Sequence, residues 1–272
     1  MSKEVKVKEE TALATTDLNS LFIADAGDAL ENLSQDDMAI PFLKLIQSVN
    51  ADDLGIDGAK AGLFYNDATM ELYDPTDGGI PFIPCAYQRR YLEWTPQGVG
   101  MAYPRKIYTP DEERPKTQRN EDNDDVIIGD PDGAYIEETH QHFIMVLGEN
   151  GALIPMIAAL KKTGLKKSRK FNTLVSTRSI MTSKGPVQPP RYSHIYLLRS
   201  HKESADKGNY YSWDFSVKGT IENTPEGVAM YGAAKNFAQS IDKGEVIVQH
   251  KKDGESSDNP DLEPVNTDDI PF

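Results

Sequence analysis

The sequence has a single cysteine, Cys85, among 272 residues, which excludes a disulfide within the chain and a cysteine-rich zinc site. It has no apolar run near the roughly 20 residues that span a bilayer, and its mean hydropathy is -0.54. The first residues alternate in charge and lack the apolar core of a secretory signal. These absences exclude an integral membrane protein and predict a cytoplasmic one.

Several enzyme motifs are also missing. The sequence has no Gly-x-x-x-x-Gly-Lys-Ser/Thr phosphate loop and no Gly-x-Ser-x-Gly nucleophile elbow. His140 and His142 alternate on a predicted strand as a possible metal pair, but a catalytic zinc needs a third protein ligand, and histidines at a sheet rim are the favoured alternative. The acidic run 121–125 could hold a divalent ion, yet its polar surroundings favour a solvated loop. We therefore expect no enzyme activity, no cofactor and no metal.

Positive charge is in the minority, with 29 Lys and Arg against 43 Asp and Glu and a net charge of -14. An evenly acidic surface would repel nucleic acid. The charge is uneven, however: residues 1–37 carry 3 basic and 9 acidic residues, 251–272 carry 2 and 7, and 111–138 carry 3 and 11. Residues 139–250 carry 15 basic and 8 acidic residues. This distribution predicts a basic working surface between acidic ends.

Composition divides the chain into three segments. Residues 1–37 are predicted to be an acidic, largely disordered N-terminal segment. Residues 38–250 are predicted to form the body, with an acidic solvated loop at 111–132. Residues 251–272 are predicted to be a disordered acidic tail.

Apolar periodicity predicts the elements of the body. Hairpins are expected for 62–66 with 70–73, for 139–147 with 152–157, and for 192–198 with 210–217, next to a long strand at 80–94 and helices at 168–181 and 225–241. Five or more antiparallel strands with two helices predict a mainly β fold with peripheral α-helices. The best match is an OB-fold-like Greek-key barrel with elaborations and disordered acidic tails.

The densest basic stretch is 161–170, with six cations in ten residues. Gly164 turns the chain after a strand, and the following cations enter a helix start, where free backbone N–H groups favour phosphate. The alternative is a solvated polar helix face. We favour phosphate binding by these six residues: Lys161, Lys162, Lys166, Lys167, Arg169 and Lys170.

Aromatic residues supply a second candidate surface. Tyr87, Arg89 and Tyr91 alternate on one strand and therefore share a face, which would form a stacking platform for bases, although strand tyrosines are equally common in cores. Tyr211, Trp213 and Phe215 share an apolar face and are predicted to be core. The remaining DNA-binding candidates, several of them on the Tyr192–Tyr196 face or beside it, are Arg90, Trp94, Arg178, Arg191, Tyr192 and Tyr196.

The last residues form an acidic stretch that ends in an apolar pair and an aromatic ring, Asp268-Asp269-Ile270-Pro271-Phe272. A partner can hold such a ring in a pocket and attract the aspartates. This motif resembles the tip of bacterial single-stranded DNA-binding proteins, except that Thr267 replaces the first aspartate. The resemblance implies that the five residues bind a partner protein.

The body resembles phage-encoded single-stranded DNA-binding proteins instead, over residues 38 to about 217. The similarity implies an OB-fold and a role in phage replication or recombination. The stretches that carry it are Ile40-Pro41-Phe42-Leu43-Lys44-Leu45, Gly62-Leu63-Phe64-Tyr65-Asn66, Phe82-Ile83-Pro84 with Tyr91 to Trp94, and Thr163-Gly164-Leu165-Lys166-Lys167-Ser168.

These observations predict a non-enzymatic, sequence-nonspecific single-stranded DNA-binding protein of a bacteriophage, acting in the host cytoplasm. It would protect exposed strands and recruit replication, recombination or repair proteins through residues 268–272. The alternatives are a metal-dependent nuclease that uses His140 and His142, or an interaction adaptor that does not bind DNA. Homo-oligomerisation stays open.

Overall fold

The computed structural model describes residues 39–96, 98–99, 102–148, 151–205 and 208–251. The predicted N-terminal segment 1–37 lies outside the described residues. So does the predicted acidic tail from residue 252 onward, including the partner-binding motif at 268–272.

Long antiparallel strands make up most of the described chain, with two helices packed against them. The strands are β1 (Leu43–Leu45), β2 (Phe64–Asn66), β3 (Leu72–Tyr73), β4 (Ile80–Trp94), β5 (Lys106–Tyr108), β6 (Thr117–Arg119), β7 (Asp125–Ile127), β8 (Tyr135–Leu147), β9 (Leu153–Lys161), β10 (Ile180–Thr182), β11 (Gly185–Val187), β12 (His194–Ala205) and β13 (Gly208–Thr220). The helices are α1 (Gly164–Ser176) and α2 (Pro225–Asp242), and a 3₁₀ turn spans Arg191–Ser193. The predicted mainly β class with peripheral α-helices is confirmed.

The main sheet is built around β4 and β8, which pair from Phe82 opposite Val146 to Trp94 opposite Tyr135. At one end β12 and β13 continue the sheet beyond β4, and β9 continues it beyond β8. At the other end β5 pairs with β4, and β7 pairs with β8 and with β6. A bulge between Pro84 and Ala86 interrupts the β4–β8 register, and the sheet curls into a half-barrel.

The small sheet β1–β2–β3 joins the two outer strands of the main sheet. Phe42 forms a parallel bridge with Ile157 of β9. On the other side the Gln47 amide donates to the Tyr211 carbonyl at 3.0 Å and accepts from the Tyr211 N–H at 2.8 Å. Gly62 permits this approach, since it has φ +97° and a Cβ there would lie 2.6 Å from the Tyr211 ring. The small sheet and the residues on either side of β1 therefore connect β9 to β13.

The two faces of the main sheet carry separate cores. The face that packs against α1 and β2, called the inner face here, buries Phe64, Phe82, Ile144, Phe171 and Tyr196 among other residues. The opposite, outer face packs against α2 and buries Ile83, Phe143, Ile157, Phe237 and Ile241 among others. Both faces can be covered because consecutive residues of β4, β8 and β9 are apolar and point to opposite faces, as Phe82 and Ile83 do.

The structure confirms the three predicted hairpins as β2–β3, β8–β9 and β12–β13. The first helix differs from its prediction because it begins at Gly164 and ends at Ser176, and residues 180–187 form the β10–β11 hairpin instead. The prediction of a loop throughout 111–132 is wrong, because Val126 pairs with Tyr135 and extends the edge of β8. Among the described helices, none has the length and apolar character needed to cross a membrane.

Candidate nucleic-acid interface

The basic run forms the turn between β9 and α1 and the first turns of that helix. Lys162 adopts φ +49°, which reverses the chain directly after β9. No acidic residue lies in the first turn of α1, and Thr163 gives no side-chain cap. The positive end of the helix dipole and the lysines therefore lie together.

A continuous chain of hydrogen bonds anchors α1 to the inner face. Ser168 Oγ lies 2.7 Å from His140 Nδ1 and 2.7 Å from His142 Nε2. The chain extends to Glu138, whose Oε1 is 2.9 Å from His140 Nε2, and to Arg191, whose Nη2 is 2.9 Å from His142 Nδ1. Ser168 and both histidines are buried, with at most 2% exposure.

The direction of this chain follows from its two ends. Arg191 can only donate, so His142 Nδ1 accepts and the proton of the neutral ring is on Nε2, which donates to Ser168. Ser168 then donates its hydroxyl proton to His140 Nδ1, and His140 Nε2–H donates to the Glu138 carboxylate. Burial lowers the pKa of His142 well below its usual value, with Arg191 adding to the effect. Burial also lowers the pKa of His140, against the opposing effect of Glu138.

This arrangement corrects the expected position of the two histidines. They lie beneath α1 and not at a sheet rim, because Phe171 and Ser168 cover that part of the inner face. All four ring nitrogens have hydrogen-bond partners within the chain. Within the part of the chain that the structure describes, no three His, Cys, Asp or Glu side chains are grouped to hold a metal ion.

The three residues predicted to form a stacking platform on β4 do lie on one face of the main sheet. Tyr87 is paired with His142, Arg89 with His140 and Tyr91 with Glu138, so all three project from the inner face beside α1. Arg89 is exposed and the two tyrosines are half-buried. We call Tyr87, Arg89 and Tyr91 the β4 strip.

Arg114 joins the β4 strip although no local sequence pattern indicates it. Its guanidinium lies 3.7 Å from the centre of the Tyr91 ring, and that of Arg89 lies 5.8 Å from the same centre. Arg114 belongs to the acidic segment 111–132, and its contact with the Tyr91 ring brings this part of the segment to β4. Two cations on one aromatic ring form an electropositive stacking surface.

The cations of the basic run fall into two groups. Four of them face carboxylates: Lys161 with Glu137 at 3.5 Å, Lys162 with Asp124 at 3.0 Å, Lys167 with Glu203 at 2.5 Å, and Arg169 with Glu138 at 3.6 Å. The bond from Lys167, with a second from Tyr210, lowers the pKa of Glu203 to about 2. Lys166 and Lys170 are exposed and form no ion pair with a described residue, and the same is true of Arg89.

Three other predicted cations do not belong to the exposed group of Lys166, Lys170 and Arg89. Arg90 follows Arg89 on β4 and therefore points to the outer side of the sheet. Burial lowers the pKa of Arg90. Its charge also helps to lower the pKa of His250 on that side. Arg178 lies at the end of α1, where its Nε donates to the Leu174 carbonyl at 3.1 Å. Arg191 lies beneath the surface, and burial lowers its pKa to about 10.

Two predicted aromatic contacts are wrong, and the third, Tyr192, stays a prediction away from the β4 strip. Trp94 is 4% exposed and Tyr196 is 1% exposed, so both belong to the core and cannot stack on a base without unfolding part of the sheet. The Tyr192 ring packs 5.2 Å from that of Tyr231 in α2, on the outer side. Alternation along a strand showed which residues share a face, but the elements packed over each face decide which side chains are covered.

Comparison with known proteins places the chain in a phage family. The profile of the Pam3 phage gp34-like proteins matches residues 8–247, which is most of the chain. The chain belongs to this family. No curated protein and no solved structure matches it significantly. The matched region of this gp34-like chain includes the β4 strip and both helices.

We expect Ser168→Ala to destabilise the protein by about 1–3 kcal/mol, because it leaves two buried imidazoles without their shared partner. The matched control is Ser176→Ala on the exposed end of the same helix, where Ser176 Oγ only donates to the Thr173 carbonyl. That change should alter the free energy of unfolding by no more than about 0.5 kcal/mol. Urea unfolding of both variants measures the difference, and equal stabilities would contradict a role for Ser168 as an anchor.

Stability should also depend on pH through the buried histidines. Burial lowers the pKa of His140, His142 and His194, and that of His250 to about 4. As the pH falls below about 6.5, the unfolded chain takes up protons that the folded chain does not, so the free energy of unfolding decreases. Urea unfolding at about pH 7.5 and about pH 5, a range in which carboxylates of the unfolded chain stay mostly ionised, isolates this effect. A stability that does not change between these pH values would contradict it.

Proposed function

We propose that the protein binds single-stranded DNA without sequence preference and protects exposed strands in the cytoplasm of the phage's host. The observation that carries this proposal is the β4 strip, where Arg89 projects between Tyr87 and Tyr91 and Arg114 lies on the Tyr91 ring. Bases stack on aromatic rings and on guanidinium groups regardless of their identity. The strip therefore suits a strand whose bases are unpaired.

The charge of α1 supports the same proposal. Lys166 and Lys170 are one helical turn apart and exposed, so both present their charges on the same side of the helix. Neither forms an ion pair with a described residue, whereas Arg169 of the same turn reaches Glu138 beside the β4 strip. Phosphates of a strand that leaves the strip and crosses α1 would meet cations that need not leave a carboxylate first.

The alternatives have less support. A nuclease that uses His140 and His142 would have to break hydrogen bonds at all four ring nitrogens and uncover both rings from α1. An adaptor without DNA binding gives no reason for concentrating exposed cations beside aromatic rings. Incubation of the protein with labelled DNA and Mg²⁺ or Mn²⁺ distinguishes the nuclease, which would cut the strand.

The recruitment of replication, recombination or repair proteins is the second part of the proposal. It depends on the motif at 268–272, whose acidic and aromatic residues suit a basic pocket on a partner. Its support is the resemblance of this motif to the tip of bacterial single-stranded DNA-binding proteins.

Replacing Arg89, Lys166 and Lys170 together by alanine should weaken binding to oligo-dT and reduce the slope of log affinity against log salt by about 0.7 for each phosphate that the variant no longer neutralises. Fluorescence titration at several salt concentrations measures both quantities. Lys235→Ala is the control, since Lys235 is an exposed cation on α2 at the outer face. An unchanged slope in the triple variant, or equal affinity of the wild type for a matched duplex, would contradict the proposed surface.

Phe272→Ala should abolish the capture of a host replication or repair protein while leaving the affinity for oligo-dT unchanged, because it removes a ring and no charge. Deletion of residues 253–272 removes seven acidic residues, all of the acidic residues beyond position 250, and should raise DNA affinity most at low salt. A pull-down from host extract and the same DNA titration measure the two effects. Equal recovery of partners by the wild type and Phe272→Ala would contradict partner binding through this ring.

A further inference from the structure

A second surface, on the side of α1 opposite the β4 strip, has the features of a base-binding site. It is a shallow, solvent-open cleft between α1 and β13, and its lining residues are Lys167, Lys170, Phe171, Leu174, Trp213, Asp214 and Phe215. We propose that this cleft holds one nucleobase of single-stranded DNA, stacked on Trp213, with the adjoining phosphate near Lys170. The inference rests on the proposed function and extends it to a second contact on the strand.

The aromatic residues of the cleft form a row. Phe171 and Phe215 stack with ring centres 4.4 Å apart and an angle of 21° between their planes. Phe215 and Trp213 follow with centres 6.1 Å apart at the same angle of 21°. Trp213 is the last ring of this row and is half-buried, so a base placed on it would continue the stack.

Trp213 is also fixed in place. The edge contact from Phe64 of β2 places the two ring centres 4.9 Å apart, at an angle of 64°. Its neighbour Tyr211 is held by the two hydrogen bonds with Gln47. A ring that is already ordered loses little conformational freedom when a base stacks on it.

The two lysines of the cleft differ in whether a carboxylate already pairs with them. Lys167 is engaged by Glu203 at 2.5 Å. Lys170 is exposed and forms no ion pair with a described residue, so it can approach a phosphate at the mouth of the cleft. An aromatic floor with an available cation at its edge matches a nucleotide, whose base is planar and whose phosphate is anionic.

The cleft is shallow and open to solvent, and it is not an enclosed cavity. A base would therefore lie against Trp213 at the surface of the protein. Such a site suits a ring that enters and leaves with the strand.

The cleft and the β4 strip lie on opposite sides of α1. Arg169 reaches toward Glu138 on the strip side, whereas Lys170 lines the cleft. Inner-face rings connect the two sides, from Tyr87 to His142, Phe171, Phe215 and Trp213. One strand that crosses the exposed cations of α1 can thus stack bases at both ends of its path.

The chain has two tryptophans, Trp94 and Trp213, which allows a direct test. The variant Trp94→Phe leaves Trp213 as the only tryptophan, and we expect oligo-dT to quench its fluorescence. The variant Trp213→Phe leaves Trp94, which is 4% exposed and should give no quenching at the same DNA saturation. Binding is followed independently by the anisotropy of labelled DNA, so saturation without quenching of Trp213 would overturn the inference.

Affinity gives a second measurement. Trp213→Ala should weaken oligo-dT binding by about fivefold or more, with an unchanged salt slope, because a stacking surface is removed and every charge stays in place. Trp213→Phe keeps an aromatic surface and should retain most of the affinity, which separates stacking from a loss of fold that urea unfolding would reveal. If the wild type does not bind oligo-dT, the proposed function and this inference both fail. If the wild type binds and the triple Arg89, Lys166 and Lys170 variant is weaker, but Trp213→Ala equals the wild type, only the cleft inference fails.

Discussion

The docking of α1 against the inner face is the contact on which the other features depend. Phe171 supplies its apolar part, with ring centres 4.4 Å from Phe215, 5.3 Å from Tyr196 and 5.7 Å from Phe82. Ser168, one turn earlier, supplies the polar part through His140 and His142. A buried phenylalanine contributes about 1.5–3 kcal/mol, but it does not specify the rotation of a helix. The directional bonds of Ser168 do, and they turn Lys166 and Lys170 outward.

This docking concentrates positive charge at the start of α1, and carboxylates from other elements compensate only part of it. The cations of α1 lie at its positive end, where no acidic residue of the first turn compensates them. Carboxylates from other elements approach instead: Glu138 from β8, Glu203 from β12 and Asp124 from the turn between β6 and β7. Each neutralises one cation at the border of the basic surface. No described carboxylate pairs with Lys166, Lys170 or Arg89. An anionic ligand therefore has the largest electrostatic advantage beside these three residues.

The sequence predicted the local secondary structure well, but it did not predict which side chains are buried beneath other elements. The hairpins followed from turn residues and from alternation, both of which act over a few positions. The placement of Trp94 and Tyr196 depends on which elements pack over each face, and no short pattern contains that information. The spacing of His140 and His142 was visible, but their partner Ser168 is 26 residues beyond His142. Arg114 is 23 residues beyond Tyr91 and only the folded chain brings the two together, so its position required the fold.

The excess of acidic residues and the exposed cations of α1 and the β4 strip act over different distances. The net charge of -14 belongs to the whole chain, and at physiological ionic strength its field is screened beyond about 8 Å. The contacts between a phosphate and Lys166, Lys170 or Arg89 act within a few ångströms, where screening is weak. Under the proposed function, a rigid duplex laid across these cations would also bring phosphates close to the acidic segment at 111–132, which carries Asp124 beside Lys162. A flexible single strand can follow the narrow basic path across α1 while its remaining phosphates stay away from the acidic segment at 111–132. Under the proposed function, the acidic segment at 111–132 thus favours a ligand that bends to a local surface over one that must lie flat against the whole protein.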